Sequence, residues 1–130
     1  MPTTIWTTPG DVQKVVEALR ARGEFSLAML YNEDGASPTG WNLIVSAPWT
    51  DALGLPEATG VIVRALSEGL GLENKYSISR VTVLPTKDPF VRAITESYPV
   101  SSPRERQWIR DVSLAGIPIG AAFIFYSRLD

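Results

Sequence analysis

Apolar residues recur along this chain with two different periods, one typical of helices and one typical of strands. The helical period occurs three times, and each time a proline and an acid stand close to the start, as is common in the first turn of a helix. The three apolar stripes are Val12, Val15, Val16 and Leu19; Ala58, Val61, Ile62, Ala65 and Leu66; and Phe90, Val91 and Ile94. Glycine commonly terminates helices, so we expect the first helix to end at Gly23 and the second at Gly69 and Gly71. Asp88 is the expected N-cap of the third helix.

Five other segments have the composition of strands, with β-branched and aromatic residues between turn-forming residues. They are Phe25–Tyr31, Leu43–Val45, Tyr76–Leu84, Trp108–Leu114 and Ile117–Tyr126. Ala115-Gly116 predicts a tight reversal between the last two. We expect Val81 and Val83 to face the core, and Trp108, Val112 and Leu114 to share one face of their strand. Pro48 is expected to end the second strand, and Ala52 to Pro56 to form a loop.

The order helix, strand, strand, helix, strand, helix, strand, strand predicts the fold class. We expect a two-layer α+β sandwich, with a mixed, mostly antiparallel five-stranded sheet and three helices chiefly on one face. Strands two and three, joined by a helix, should run parallel through a right-handed crossover. With 130 residues the chain is expected to form one globular domain over 1–130. Gly60, inside the second helix, predicts a close packing contact.

Two residue types that support much enzyme chemistry are absent. The sequence has no histidine and no cysteine, which removes the imidazole base, the thiolate nucleophile, disulfides and the usual zinc ligands. It contains no Ser-x-x-Lys and no Gly-x-Ser-x-Gly motif, and its glycines do not match a phosphate-binding loop. We therefore predict no catalytic residues, no metal ligands and no cofactor.

The stretch Trp41–Asp51 joins a compact apolar strand to a segment that carries a second tryptophan and an acid. Trp41, Trp49 and Asp51 are candidate binding residues, because tryptophan is favoured at interfaces. A strand that leads to an acid resembles the nucleotidyltransferase sheet, in which paired carboxylates would hold a divalent cation. The resemblance covers about one strand and a turn. Trp41, Asn42 and Leu43 stand where the carboxylate pair is expected.

Arginines make up the second candidate set, because a guanidinium can grip phosphate or carboxylate groups with two hydrogen bonds. Arg104, Arg106 and Arg110 come close together, although Glu105 and Asp111 are interleaved with them. Arg80 stands alone among β-forming residues. We expect it to form a cross-strand ion pair. The alternative, if it lies on an uncovered face of the sheet, is that it forms the floor of a cleft beside Asp51, Arg110 or Asp111.

Taken together, these features predict a binding or protein-association module rather than an enzyme, with self-association or a protein partner favoured. An apolar final hairpin is typical of an association surface. The alternative is a degenerate nucleotidyltransferase-like or other enzyme-like domain that binds a small anionic molecule. The net charge of −2 makes a nucleic-acid partner unlikely. No segment has the length of a membrane-spanning helix or the pattern of a signal peptide, so we expect a cytoplasmic protein.

Overall fold

A computed structural model describes residues 9–32, 41–75, 78–101 and 107–128. The helices are α1 (Pro9–Leu19), α2 (Pro48–Leu53), α3 (Leu55–Lys75) and α4 (Pro89–Ser97), and a short 3-10 turn follows α1. The strands are β1 (Leu27–Asn32), β2 (Trp41–Ser46), β3 (Ile78–Val83), β4 (Gln107–Leu114) and β5 (Ile117–Ser127).

The five strands form one sheet in the order β3-β2-β1-β5-β4. Three of the four pairings between these described strands are antiparallel, and β2 and β3 are parallel. This arrangement confirms the α+β class and the mixed sheet, and it confirms that the helix between strands two and three returns the chain in the same direction. β4 and β3 are the two edges of the sheet.

The sheet has a core on each face. Helices α1 and α3 cover one face, hereafter the α1/α3 face, where Val16 and Ile62 pack with Leu30 and Leu43. Helix α4 covers part of the other face, hereafter the α4 face, with Phe90, Val91 and Ile94 among its buried residues. The central strand β1 therefore buries both parities, Leu27 and Met29 toward α4 and Ala28 and Leu30 toward α1 and α3, all 2% exposed or less.

The predicted loop from Ala52 to Pro56 is wrong, because its residues other than Gly54 belong to the end of α2 or the start of α3. Pro48 ends β2 as expected, but it also opens α2, since proline suits the first helical turn. Thr50 fixes this start, because its Oγ1 accepts a hydrogen bond from the Ala47 amide at 3.0 Å and donates to the Ala47 carbonyl at 2.8 Å. Gly54, with φ of 90°, separates α2 from α3. Trp49 and Asp51 are thus helical residues.

Helix α3 also continues past its predicted end. It runs through Gly69 and Gly71 to Lys75. A Cβ on Gly69 would lie 2.7 Å from Cγ2 of Val15, so this glycine allows α1 and α3 to approach closely. A Cβ on Gly60 would meet nothing within 4 Å, and the prediction of a close contact there is wrong.

The last hairpin changes face along its length. Trp108 lies opposite Phe123 and Ile109 opposite Ala122, but beyond Asp111, whose φ is 53°, Val112 and Leu114 pack in the α4-side core. The expectation that Trp108 shares a face with Val112 and Leu114 is therefore wrong. A left-handed residue breaks the strict two-residue alternation on which that expectation depended.

Candidate binding surfaces on the two faces of the sheet

Three aromatic side chains and one arginine meet on the α1/α3 face. The rings of Trp108 and Phe123 lie 4.2 Å apart, and those of Phe123 and Trp41 lie 6.1 Å apart. The Arg110 guanidinium carbon sits 5.6 Å from the centre of the Trp108 ring. We call these four residues the aromatic patch. It connects β2, β5 and the edge strand β4 on one surface.

The register of the hairpin explains this cluster. Trp108 and Phe123 are directly opposite in the β4–β5 ladder, so their side chains share a face at close range. Arg110 follows Trp108 by two residues and lies on the same face. Trp41 and Phe123 are half-buried and pack against the α1/α3 core, whereas Trp108 is 43% exposed. The patch is thus anchored at one end and open to solvent at the other.

Trp49 does not join Trp41. It lies on α2, beyond the other end of β2, and packs edge-to-face on Phe25 with ring centres 5.9 Å apart. A side chain at Gly23 would come within 2.9 Å of the Trp49 ring, so the backbone passes close to the indole there. Trp49 therefore serves to pack the start of β1 against α2.

Asp51 is engaged by the turn that precedes α4. Its carboxylate accepts hydrogen bonds from the Thr86 hydroxyl at 2.7 Å and from the Thr86 amide at 3.2 Å. This contact ties α2 to the β3–α4 connection. Within the described ranges no three acidic side chains come together as a metal site would require.

Arg80 lies on the α4 face, in a groove of about 270 Å³. Its walls come from the start of α4, with Asp88 and Phe90, and from the hairpin tip, with Ile117; the floor comes from β1, β2 and β3. The hairpin tip is fixed there by the Tyr31 hydroxyl, which donates to the Pro118 carbonyl at 2.8 Å. We call this cavity the Arg80 groove. Arg80 therefore lines a cleft, but none of Asp51, Arg110 and Asp111 lines it with Arg80.

The predicted arginine set is divided by the sheet. Arg80 is on the α4 face and Arg110 is on the α1/α3 face, whereas Arg104 and Arg106 lie outside the described residues. In the part of the chain that the structure describes, Arg80 and Arg110 do not combine into one basic surface.

A second cavity, of about 210 Å³, has basic residues at its rim. Lys87, Arg92 and Arg128 line it together with Ser26 and Thr95, between α4 and the ends of the central strands. Arg128 is paired with Glu24 at 3.3 Å. The sequence alone does not bring Lys87, Arg92 and Arg128 to one cavity, because their meeting depends on where α4 packs.

Trp108, Phe123 and Asn42 belong to these surfaces but were outside the predicted set, although the sequence contains a signal for the first two. Counting back from the predicted Ala115-Gly116 turn pairs Trp108 with Phe123, so this aromatic pair follows from the turn alone. Asn42 had no such signal, because its place beside Arg80 depends on the register of the parallel β2–β3 pairing, which is set by contacts far apart in the chain.

No described helix is long and apolar enough to cross a membrane. Comparison with protein-family models, with curated proteins and with solved structures finds no match to this chain, so a proposal about its function rests on the geometry of these surfaces.

Proposed function

We propose that this protein acts by association rather than by catalysis, and that its partner is a second copy of the same chain. The observation that supports this most directly is the aromatic patch, which ends in a tryptophan at the open edge of the sheet. Tryptophan and arginine are enriched at the energetic centres of protein interfaces, and here they lie in contact.

Burial of the patch would supply the driving force. Apolar surface contributes about 25 cal/mol for each Å² removed from water. Trp108, at 43% exposed, and the half-buried rings of Trp41 and Phe123 still have such surface to lose. Because Trp41 and Phe123 are already held by core contacts, ordering them on association costs little side-chain entropy.

The edge strand offers a second element of the contact. Among the described strands β4 pairs only with β5, so the outer backbone groups of β4 have no strand partner within the described chain. The middle of β4 is a poor template for another strand, because Asp111 has a positive φ and both Arg110 and Asp111 are charged. A second copy would therefore pair its strand with Gln107–Arg110, the half of β4 that carries Trp108.

Sedimentation equilibrium at tens of micromolar tests the proposal. We expect a reversible dimer for the native chain and a monomer for Trp108→Ser. Val63→Ser is the matched control, because Val63 is 44% exposed and lies on α3, outside the patch. This variant should dimerise like the native chain. A native chain that is monomeric over that concentration range would overturn the proposal, as would a Trp108→Ser variant with unchanged dimerisation.

A cytoplasmic location remains a prediction from the sequence.

A further inference from the structure

The Arg80 groove has two adjacent hydrogen-bond donors on its floor. Asn42 of β2 is the direct partner of Arg80 in the parallel β2–β3 ladder, so the two side chains are neighbours on the α4 face. The Thr82 hydroxyl donates to Oδ1 of Asn42 at 3.0 Å. This bond occupies the acceptor of the amide and directs its Nδ2 donors away from Thr82.

Arg80 has no acidic partner among the described residues. Its side chain is exposed, and the two ion pairs found in that part of the chain involve Arg20, Glu24 and Arg128 instead. Asp88 also lines the groove, but one of its oxygens is used at 2.8 Å by the Phe90 amide at the start of α4. The floor therefore presents a guanidinium and an amide to whatever enters.

The walls are mostly apolar. Ile44, Leu84, Phe90 of α4 and Ile117 of the hairpin tip line the groove beside its polar residues. Ile117 is 37% exposed, so the groove leaves part of this side chain uncovered. A cavity with apolar walls and a few convergent polar groups is typical of a small-molecule site, and its volume of about 270 Å³ restricts the ligand to a small one.

We propose that the Arg80 groove binds a small monocarboxylate with an apolar body. The carboxylate accepts hydrogen bonds from the Arg80 guanidinium and the Asn42 amide, since guanidinium groups match carboxylates geometrically. The hydrocarbon part lies between Phe90 and Ile117. The carboxylate of Asp88 in the wall disfavours a second negative charge, so a monoanion binds better than inorganic phosphate.

Titration of the ¹⁵N-labelled 130-residue chain with benzoate tests this site by NMR. We expect saturable shifts of the Asn42 side-chain amide and of the backbone amides of Arg80 and Thr82. Arg80→Gln should weaken binding by about tenfold or more, the ratio expected for loss of one hydrogen bond to a charged group. The matched control is Arg64→Gln, which removes an exposed arginine of α3 and should bind benzoate like the native chain.

Two further ligands test whether binding depends on the single negative charge and on the ring. Benzamide keeps the ring but lacks the charge and should bind more weakly than benzoate, and inorganic phosphate should leave the groove signals in place. Asn42→Asp places a negative charge beside Arg80 and should abolish benzoate binding while the spectrum still shows a folded chain. Equal affinity of Arg80→Gln and the native chain would overturn the proposal. So would shifts that centre on Lys87, Arg92 and Arg128, because the anion would then occupy the other cavity.

Discussion

Two glycines of the same helix are expected to differ in what they contribute. Glycine inside a helix costs about 1 kcal/mol relative to alanine. Gly60 is exposed with nothing near its missing Cβ, so Gly60→Ala should raise the free energy of unfolding by about 0.5 to 1 kcal/mol. At Gly69 the new Cβ would meet Cγ2 of Val15 at 2.7 Å, and Val15 is buried and stiff at χ1.

Gly69→Ala should therefore lower the free energy of unfolding, because α1 and α3 must separate slightly. Urea unfolding of the two variants beside the native chain measures both changes, and each variant is the control for the other. Equal stabilisation by both alanines would contradict the prediction that the close approach of α1 and α3 requires glycine at position 69.

The buried phenol of Tyr126 gives a second prediction at the level of one residue. Its ring stacks on Phe25 with centres 5.7 Å apart, and the Arg20 guanidinium lies 4.9 Å above it. Burial raises the pKa of Tyr126 above the ordinary value, and the nearby Arg20 cation opposes this only in part. Above a pH of about 10 an unfolded tyrosine loses its proton, whereas the folded protein retains that of Tyr126.

Protons bound only in the folded state make stability fall as pH rises. The contribution of Tyr126 is therefore complete below a pH of about 10 and is lost as the pH rises toward the pKa of the folded state. We expect Tyr126→Phe to lose less stability than the native chain between pH values of about 8 and 11, as measured by urea midpoints. Other groups titrate in both proteins, so the difference between them is the informative quantity, and identical losses would contradict the prediction.

At the scale of the elements, the contact between Asp51 and Thr86 joins α2 to the turn before α4. The hydrogen bonds are exposed, so we expect the pair to be coupled by about 0.5 to 1 kcal/mol. A double-mutant cycle with Asp51→Ala and Thr86→Val, followed by thermal unfolding, measures this coupling. Additive effects would mean that the contact contributes nothing.

The same variants distinguish a structural from a metal-binding Asp51. Because the Asp51 carboxylate is already hydrogen-bonded to Thr86, added Mg²⁺ should leave the unfolding temperature of the native chain unchanged. A rise in that temperature with Mg²⁺, absent in Asp51→Ala, would favour the nucleotidyltransferase-like alternative.

The elements that could be predicted are those with local signals. The Asp88 cap is observed, with its oxygen 2.8 Å from the Phe90 amide, and the Ala115-Gly116 reversal has φ values of 52° and 78°. Such features depend on a few adjacent residues, so the sequence contains most of what determines them. The pairing of Trp108 with Phe123 follows from the position of the reversal, so this contact of the aromatic patch could be predicted from the sequence.

Features that depend on distant contacts could not be predicted in this way. Pro48 is compatible both with a loop after β2 and with a helix, and the Thr50 hydrogen bonds decide for the helix. Trp41 reaches the patch only because the order of the sheet places β2 two strands from β5. Ile117 reaches the Arg80 groove because the hairpin changes face at Asp111. Asp111 is a non-glycine residue with positive φ, and no pattern in the sequence predicts that conformation.

For the whole molecule, the sheet separates the two proposed activities. The aromatic patch lies on the α1/α3 face and the Arg80 groove on the α4 face, and no residue belongs to both. Strand β1 between them is buried on both sides. One connection remains, because the β4–β5 hairpin carries Trp108 near one end and Ile117 at its tip.

Independence of the two surfaces is the prediction that follows from this separation. Mutations that share no partners usually have additive effects. We therefore expect Arg80→Gln to dimerise like the native chain and Trp108→Ser to bind benzoate like the native chain, as measured by sedimentation and by NMR. Sedimentation with saturating benzoate should likewise give the same dimer dissociation constant as without it. Any ligand-induced change in that constant would mean that the hairpin moves as a unit, because by linkage dimerisation would then alter benzoate affinity by the same factor.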